Sequence, residues 1–103
     1  MKSARTKACE IPLKVKQKVH ERDGGVSILS GRQGDPCIHY IPRSLGGLGI
    51  EQNIVTLTPE EHQMYDNGSA PDRNIRKEMR AKIKVYLDRC YPGYRDYDRI
   101  FHR

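Results

Sequence analysis

The stretch HYIPRSLGG at residues 39–47 decides the fold we expect, because it joins a short apolar run to a glycine-rich loop. A second apolar run, NIVTL at residues 53–57, follows that loop. Both runs are rich in β-branched or aromatic residues, a composition that is typical of strands. Residues 37–41 and 53–57 therefore predict an antiparallel pair, with His39 on the first strand and Asn53 opening the second.

A strong helix signal follows the second run directly. In TPEE, residues 58–61, a threonine stands at the N-cap, a proline at the first helical position and a glutamate three residues after the cap. This is a capping box with a favourable first turn. The predicted helix carries His62 and Asp66, which face the same way because they are four residues apart. It should end near residues 67–68, with His39 opposite its His62 face.

The flanking regions predict further elements. Residues 1–10 have no periodic apolar pattern and predict a mobile tail, whereas residues 12–22 predict a helix. Residues 26–29 predict a short strand. Residues 69–72 repeat the helix start signal and predict a longer helix to about Cys90, followed by a tail that folds back onto the domain. The apolar stripe of the longer helix comprises Ile75, Met79, Ile83, Tyr86, Leu87 and Cys90.

The composition indicates a small α+β domain. The 103 residues suit one domain, and 36% hydrophobic residues with no tryptophan predict a thin core. The three cysteines are odd in number and form no C-x-x-C pair, which favours free thiols in a reducing, cytoplasmic setting. No run approaches the roughly 18 apolar residues of a membrane span, so we expect no membrane partner.

The charge is distributed as two basic arms around an acidic centre. Residues 1–22 carry a net charge of +5 and residues 73–103 one of +6, while residues 23–72 carry −5, which together give +6. Basic arms can neutralise the phosphates of a nucleic acid, and an acidic centre suits a divalent cation. The alternative is that the lysines simply form solvated helix faces.

The histidines suggest a particular chemistry. Hydrolysis of a phosphodiester needs a base that activates water and a cation that offsets charge on the phosphate. A neutral imidazole such as that of His39 suits the first task near pH 7. An imidazole and a carboxylate on one helix face, as at His62 and Asp66, offer nitrogen and oxygen ligands to a cation.

The order of these residues resembles the HNH endonucleases, also called His-Me finger or ββα-metal nucleases. The family's I-P-R-S-x-G-G loop stands at residues 41–47. His39 lies three positions before the proline of this loop, and Asn53 and His62 follow the loop. The resemblance is sharpest over residues 37–68. It implies a single ββα-metal domain across residues 1–103, with an N-terminal helix and a longer C-terminal helix flanking the core.

The resemblance also implies roles for individual residues. His39 would be the general base, and Asn53 would pin the loop that orients it. His62 and Asp66 would hold one divalent metal ion, which could be Mg²⁺, Mn²⁺, Ni²⁺ or Zn²⁺. A second interpretation of Asp66 stays open, because YDNG at residues 65–68 is also typical of a turn at the end of a helix.

The same resemblance implies a substrate and a setting. Arg43 and Ser44 would contact the phosphates of DNA, with double-stranded DNA as the expected partner. Small stand-alone members of the family look like proteins of bacteriophages and prophages. This context implies a bacterial cytoplasm and, as further partners, phage packaging proteins.

Two departures from the family pattern keep another function open. Ile38 stands where the family usually has a metal-ligating Asp or His. The positions of the family's zinc-binding cysteines are Ser27, Ser30, Thr58 and Glu61. We therefore expect no structural zinc. The alternative function is a catalytically weak or inactive DNA-binding accessory protein, and a third is a toxin- or inhibitor-like protein that binds an acidic surface.

Overall fold

A two-stranded antiparallel sheet lies at the centre of the structure, which is a computed structural model. Strand β1 spans Asp35–His39 and strand β2 spans Ile54–Leu57. His39 pairs with Ile54 in the ladder. The predicted antiparallel pairing is confirmed, although β1 begins and ends two residues before the predicted range of 37–41.

Helices cover both faces of this sheet. The structure describes residues 2–66 and 73–103, and within them the α-helices are α1 (Ala4–Cys9), α2 (Leu13–Asp23), α3 (Pro59–Asp66) and α4 (Arg73–Cys90). Short 3-10 helices lie at Arg43–Leu45, Glu51–Asn53 and Asp96–Arg99. The predicted α+β class is confirmed. Among the described residues, no helix has both the length and the apolar character needed to cross a membrane.

The two faces of β1 point into different environments. The main core contains Ile38, Tyr40, Ile41, Val55, Leu57, Tyr65, Met79, Ile83 and Leu87. Successive side chains of a strand alternate between its faces, so Ile38 enters this core and His39 points to the opposite side. There Ile54, the ladder partner of His39, packs against Val15 and Val19 of α2. The fold therefore places His39 on the face that α2 covers.

The N-terminal segment is ordered, which corrects the prediction of a mobile tail for residues 1–10. Ser3 caps α1, because its hydroxyl accepts a hydrogen bond from the Thr6 N–H at 3.1 Å. Cys9 is buried, and the Ala8 carbonyl accepts a bond from the Gly49 N–H at 3.0 Å. A helix of six residues is too short to show an apolar period, so capping and tertiary contacts determine it.

Residues 26–29 do not form the predicted strand. Val26 makes one isolated bridge to Gln33, and the chain reverses between them. Gly31 adopts a φ of 76° in this reversal, and its N–H donates to the Ser27 carbonyl at 2.9 Å. The prediction was wrong because the turn overrides the β preference of the preceding residues.

The predicted capping box at the start of α3 is confirmed. The Thr58 hydroxyl accepts a hydrogen bond from the Glu61 N–H at 3.2 Å, and the Glu61 carboxylate accepts one from the Thr58 N–H at 2.9 Å. Helix α4 ends at Cys90, as predicted. The predicted helix end at residues 67–68 and the start signal at residues 69–72 lie outside the described residues.

The C-terminal segment folds back onto the domain, as predicted. Its anchor is Arg99, whose side chain is fully buried. The Arg99 guanidinium donates to the Gln52 carbonyl at 2.7 Å and pairs with Asp96 at 2.8 Å. The Leu48 N–H donates to the Arg99 carbonyl at 2.9 Å. The segment therefore holds the loop between the two strands.

Candidate metal and phosphodiester site

An open cleft of about 500 Å³ brings the N-terminal segment, β1 and α3 together. It is lined by Glu10, Ile11, Lys16, Cys37, His39, Arg43, His62 and Asp66. Four of the six predicted site residues thus share one cleft. The other two, Asn53 and Ser44, are not among its lining residues.

His39 is held in one orientation at the wall of this cleft. The residue is 8% exposed, and its Nε2 lies 2.9 Å from the Cys9 carbonyl oxygen. A carbonyl only accepts hydrogen bonds, so Nε2 carries a proton and Nδ1 of the neutral ring keeps its lone pair. Burial lowers the pKa of His39; the Cys9 carbonyl opposes this shift and Arg43 adds to it. The net direction is downward, so the ring is a neutral base near pH 7.

Asn53 is not among the cleft-lining residues, and its side chain joins the two ends of the loop of residues 41–48 by hydrogen bonds. Its side-chain oxygen accepts from the Ile41 N–H at 2.9 Å, and its amide donates to the carbonyls of Ile41 at 3.1 Å and Leu48 at 2.9 Å. The loop is tight at Gly47, where a Cβ would lie 1.6 Å from the Ile41 oxygen. The side chain of Asn53 therefore fixes the chain that continues directly from His39.

His62 and Asp66 form a pair on the side of the cleft made by α3. Nε2 of His62 lies 2.6 Å from Oδ2 of Asp66, and both side chains are partly exposed. The prediction that they face the same way is confirmed. An imidazole nitrogen beside a carboxylate is a donor set that suits a hard or borderline cation.

The number of protein ligands for such a cation is small. Among the described residues, no group of three or more His, Cys, Asp and Glu side chains could hold a metal ion. His62 and Asp66 fit a cation whose remaining coordination positions are filled by water or phosphate, as is usual for Mg²⁺.

Arg43 supplies positive charge to the same cleft. It is exposed and opens the 3-10 helix Arg43–Leu45. Arg5 steadies this loop by donating to the Ser44 carbonyl at 3.0 Å. Ser44 itself is exposed and lies outside the cleft lining. Arg43 thus meets the geometric requirement for a phosphate contact at this cleft.

Ile38 leaves β1 without a metal-ligating side chain at the position directly before His39. Its side chain is 1% exposed and belongs to the main core, on the face of β1 opposite to His39. Cys37, by contrast, is partly buried against the main core and also lines the cleft. Burial raises the pKa of the Cys37 thiol, so this side chain is a neutral thiol near pH 7.

The four positions at which the resemblance would place zinc-binding cysteines lie together as a polar cluster. They are Ser27, Ser30, Thr58 and Glu61. Burial raises the pKa of the Glu61 carboxyl, but hydrogen bonds from Ser27, Thr58 and Ser30 outweigh this and hold the pKa below its usual value. The Ser27 hydroxyl also accepts from the Ser30 N–H at 3.2 Å. Hydrogen bonds around one carboxylate thus join α3 to the turn after α2.

Several cleft residues were not predicted from the sequence. Glu10 and Ile11 enter from the segment between α1 and α2, and Lys16 comes from the first turns of α2. Nothing in their local sequence connects them to His39, because they approach it only through the tertiary fold. Cys37 had a usable signal, since it lies two residues before His39 on a predicted strand.

No protein family model, no curated protein and no solved structure matches this chain. The functional interpretation therefore depends on the cleft and its residues.

Proposed function

We propose that this protein is a metal-dependent endonuclease of the HNH, or ββα-metal, type that hydrolyses phosphodiester bonds in DNA. One observation carries the proposal. A buried, neutral His39 with a free Nδ1 lines the same cleft as the His62–Asp66 pair. The order of strand, pinned loop, strand and helix also supports it.

His39 would act as the general base. Its Nδ1 takes a proton from water, the water oxygen bonds to phosphorus, and the bond from phosphorus to the leaving oxygen breaks. Bases of this kind contribute about 10²–10⁴-fold to the rate. Arg43 would attract the phosphate by its charge. Asn53 is a positioning residue in this scheme, because it acts on His39 through the loop.

His62 and Asp66 would hold the metal ion. A divalent cation there would stabilise the charge that develops on the phosphate and on the leaving oxygen. The pair now shares a hydrogen bond, so a cation bound by both groups would replace the proton between them.

The test is nicking of supercoiled plasmid DNA with Mg²⁺, Mn²⁺, Ni²⁺ or EDTA. We expect metal-dependent nicking by the wild type and its loss in His39→Ala and His62→Ala. His102→Ala is the matched control, because His102 is an exposed histidine outside the cleft lining, and it should nick normally. Nicking by His39→Ala at the wild-type rate would contradict the assigned base.

A DNA-binding accessory protein without catalysis is the second candidate. The position of Ile38 in the core favours it, together with the small ligand set of the described residues. It predicts salt-sensitive DNA binding and no nicking with any of the three metals. The same plasmid experiment therefore separates the two functions.

A further inference from the structure

A second depression continues the cleft along α4. It has a volume of about 290 Å³ and is lined by Pro42, Tyr65, Asp66, Arg76, Lys77 and Arg80. We call it the α4 groove. Asp66 lines both the cleft and the α4 groove, and Pro42 of the groove directly precedes Arg43 of the cleft. The cleft and the groove are therefore adjacent to each other at Asp66 and at the link from Pro42 to Arg43.

The α4 side of this groove is cationic. Arg76 and Arg80 are one helical turn apart and lie on the same side of α4, with Lys77 beside them. Arg80 is steadied by Tyr40, since its guanidinium carbon lies 5.6 Å from the centre of the Tyr40 ring. Four residues of helix rise about 6 Å, so the three cations form a short row along α4.

The cations of the groove are available for a ligand, unlike others on the same helix. Within the described residues, no carboxylate forms an ion pair with Arg76 or Lys77. In the following turns, by contrast, Lys84 pairs with Asp88 at 2.9 Å. Asp66 is the carboxylate that lines the groove beside these three cations, so the described lining has a net positive charge, which attracts a polyanion.

We propose that Arg76, Lys77 and Arg80 form a phosphate-binding subsite for the DNA strand that occupies the cleft. The inference rests on the proposed nuclease function and deepens it by assigning the backbone contacts on one side of the scissile bond. These contacts position the strand and carry no sequence information. Each phosphate that a cation neutralises releases counterions, which makes binding fall as salt rises.

The test compares two pairs of substitutions on α4. Arg76→Ala combined with Lys77→Ala removes two charges from the groove. Lys82→Ala combined with Arg89→Ala removes two exposed charges of the same helix that do not line it. All four residues are exposed, so both variants should unfold at the wild-type temperature. Binding of a labelled DNA duplex is measured by fluorescence anisotropy in EDTA, over a range of salt concentrations.

We expect the groove variant to bind at least tenfold more weakly in low salt. The slope of log K against log salt is negative and should become less steep by about 2, since each lost phosphate contact removes about 0.9 from its magnitude. The control variant should bind as the wild type does. Equal binding by the two variants would overturn the subsite, and so would a preference of the wild type for an RNA duplex of the same sequence.

A nicking assay on the same samples separates this inference from the proposed function. If the wild type nicks plasmid and the two variants bind equally, the nuclease stands and the subsite fails. If nothing nicks with any metal but the groove variant alone binds weakly, the nuclease fails and the subsite stands as part of a binding surface.

Discussion

The two sides of the cleft differ in how firmly their functional groups are held. The strand wall comprises β1 and the pinned loop, with His39 and Asn53; the helix wall is α3, with His62 and Asp66. The residue His39 is 8% exposed and hydrogen-bonded to a backbone carbonyl, whereas the side chain of His62 alone is 41% exposed and is hydrogen-bonded to Asp66 on the same helix. His39 is therefore built into the fold, whereas His62 and Asp66 lie at its surface.

This difference in burial agrees with the roles proposed for the two walls, a general base in the strand wall and metal ligands in the helix wall. A general base must present one ring nitrogen, so its tautomer and ring plane have to be set by buried partners. A pair of ligands that shares a cation with water and phosphate can adjust when the cation binds. Substitutions in the strand wall should therefore affect folding, whereas those in the helix wall should affect metal binding.

Asn53→Ala should have the largest effect on stability. The change leaves the Ile41 N–H and the carbonyls of Ile41 and Leu48 without their partner. Buried groups left in this way cost about 1–3 kcal/mol each, so we expect a loss of about 3 kcal/mol or more. Thermal unfolding followed by circular dichroism should show a fall in Tm of roughly 10–20 °C.

His62→Ala is the comparison for that experiment on the helix wall. An exposed pair four residues apart contributes about 0.3–0.5 kcal/mol, so the Tm should fall by no more than a few degrees. A loss of stability as large as that of Asn53→Ala would show that the two walls are equally built into the fold, and the contrast between them would be wrong.

Local signals predicted the helix wall well and the strand wall only in part. The capping box of Thr58 and Glu61 involves neighbours in the chain, so the sequence specifies it directly. The contact between His39 and Cys9 joins residues that are 30 positions apart, so no local sequence pattern predicts it. The burial of Arg99 is similar, because a charged residue near a chain end is usually exposed.

The helices also divide into those that a local pattern predicted and those that depend on distant contacts. Helix α4 was predicted to its last residue because its apolar stripe repeats over five turns. Helix α1 was missed because capping and contacts to distant segments hold its six residues. The β-like run of residues 37–41 predicted the strand that carries His39, but the cleft in front of it depends on α2 and on the segment between α1 and α2.

Glu61→Ala should have a smaller effect, and it tests how the helix wall is attached. The substitution removes one half of the capping box and the hydrogen bonds from Ser27 and Ser30. We expect a loss of about 1–2 kcal/mol at pH 7 by chemical unfolding. Glu60→Ala is the matched control, since Glu60 is an exposed glutamate in the same turn, and it should change stability by less than about 0.5 kcal/mol.

The pH dependence of that loss has a defined sign. The folded-state pKa of Glu61 lies below its ordinary value, so its ionised form stabilises the fold above the unfolded pKa. This contribution disappears as the pH falls through the folded pKa. The difference between the wild type and Glu61→Ala should therefore shrink in acid. A difference that grows toward acid would mean that Glu61 is protonated in the cluster at neutral pH.

The smallest expected effect concerns the electrostatic link between the two walls. Burial lowers the pKa of His39, Arg43 lowers it further and Asp66 raises it. An NMR titration should give a pKa below 6.5 in the wild type, a higher value in Arg43→Ala and a lower one in Asp66→Asn. Arg32→Ala is the control, since Arg32 is the other basic residue of the acidic centre and lies outside the cleft lining.

The lowered pKa of His39 also determines how the stability of the fold changes with pH. A folded His39 that resists protonation binds fewer protons than the unfolded chain below pH 6.5, so the fold loses stability as the pH falls through that range. Arg43→Ala should make this acid loss slightly smaller. If the His39 pKa is the same in Arg43→Ala as in Arg32→Ala, the Arg43 charge does not act on the base. The electrostatic support for a joint action of Arg43 and His39 on one phosphate would then be lost.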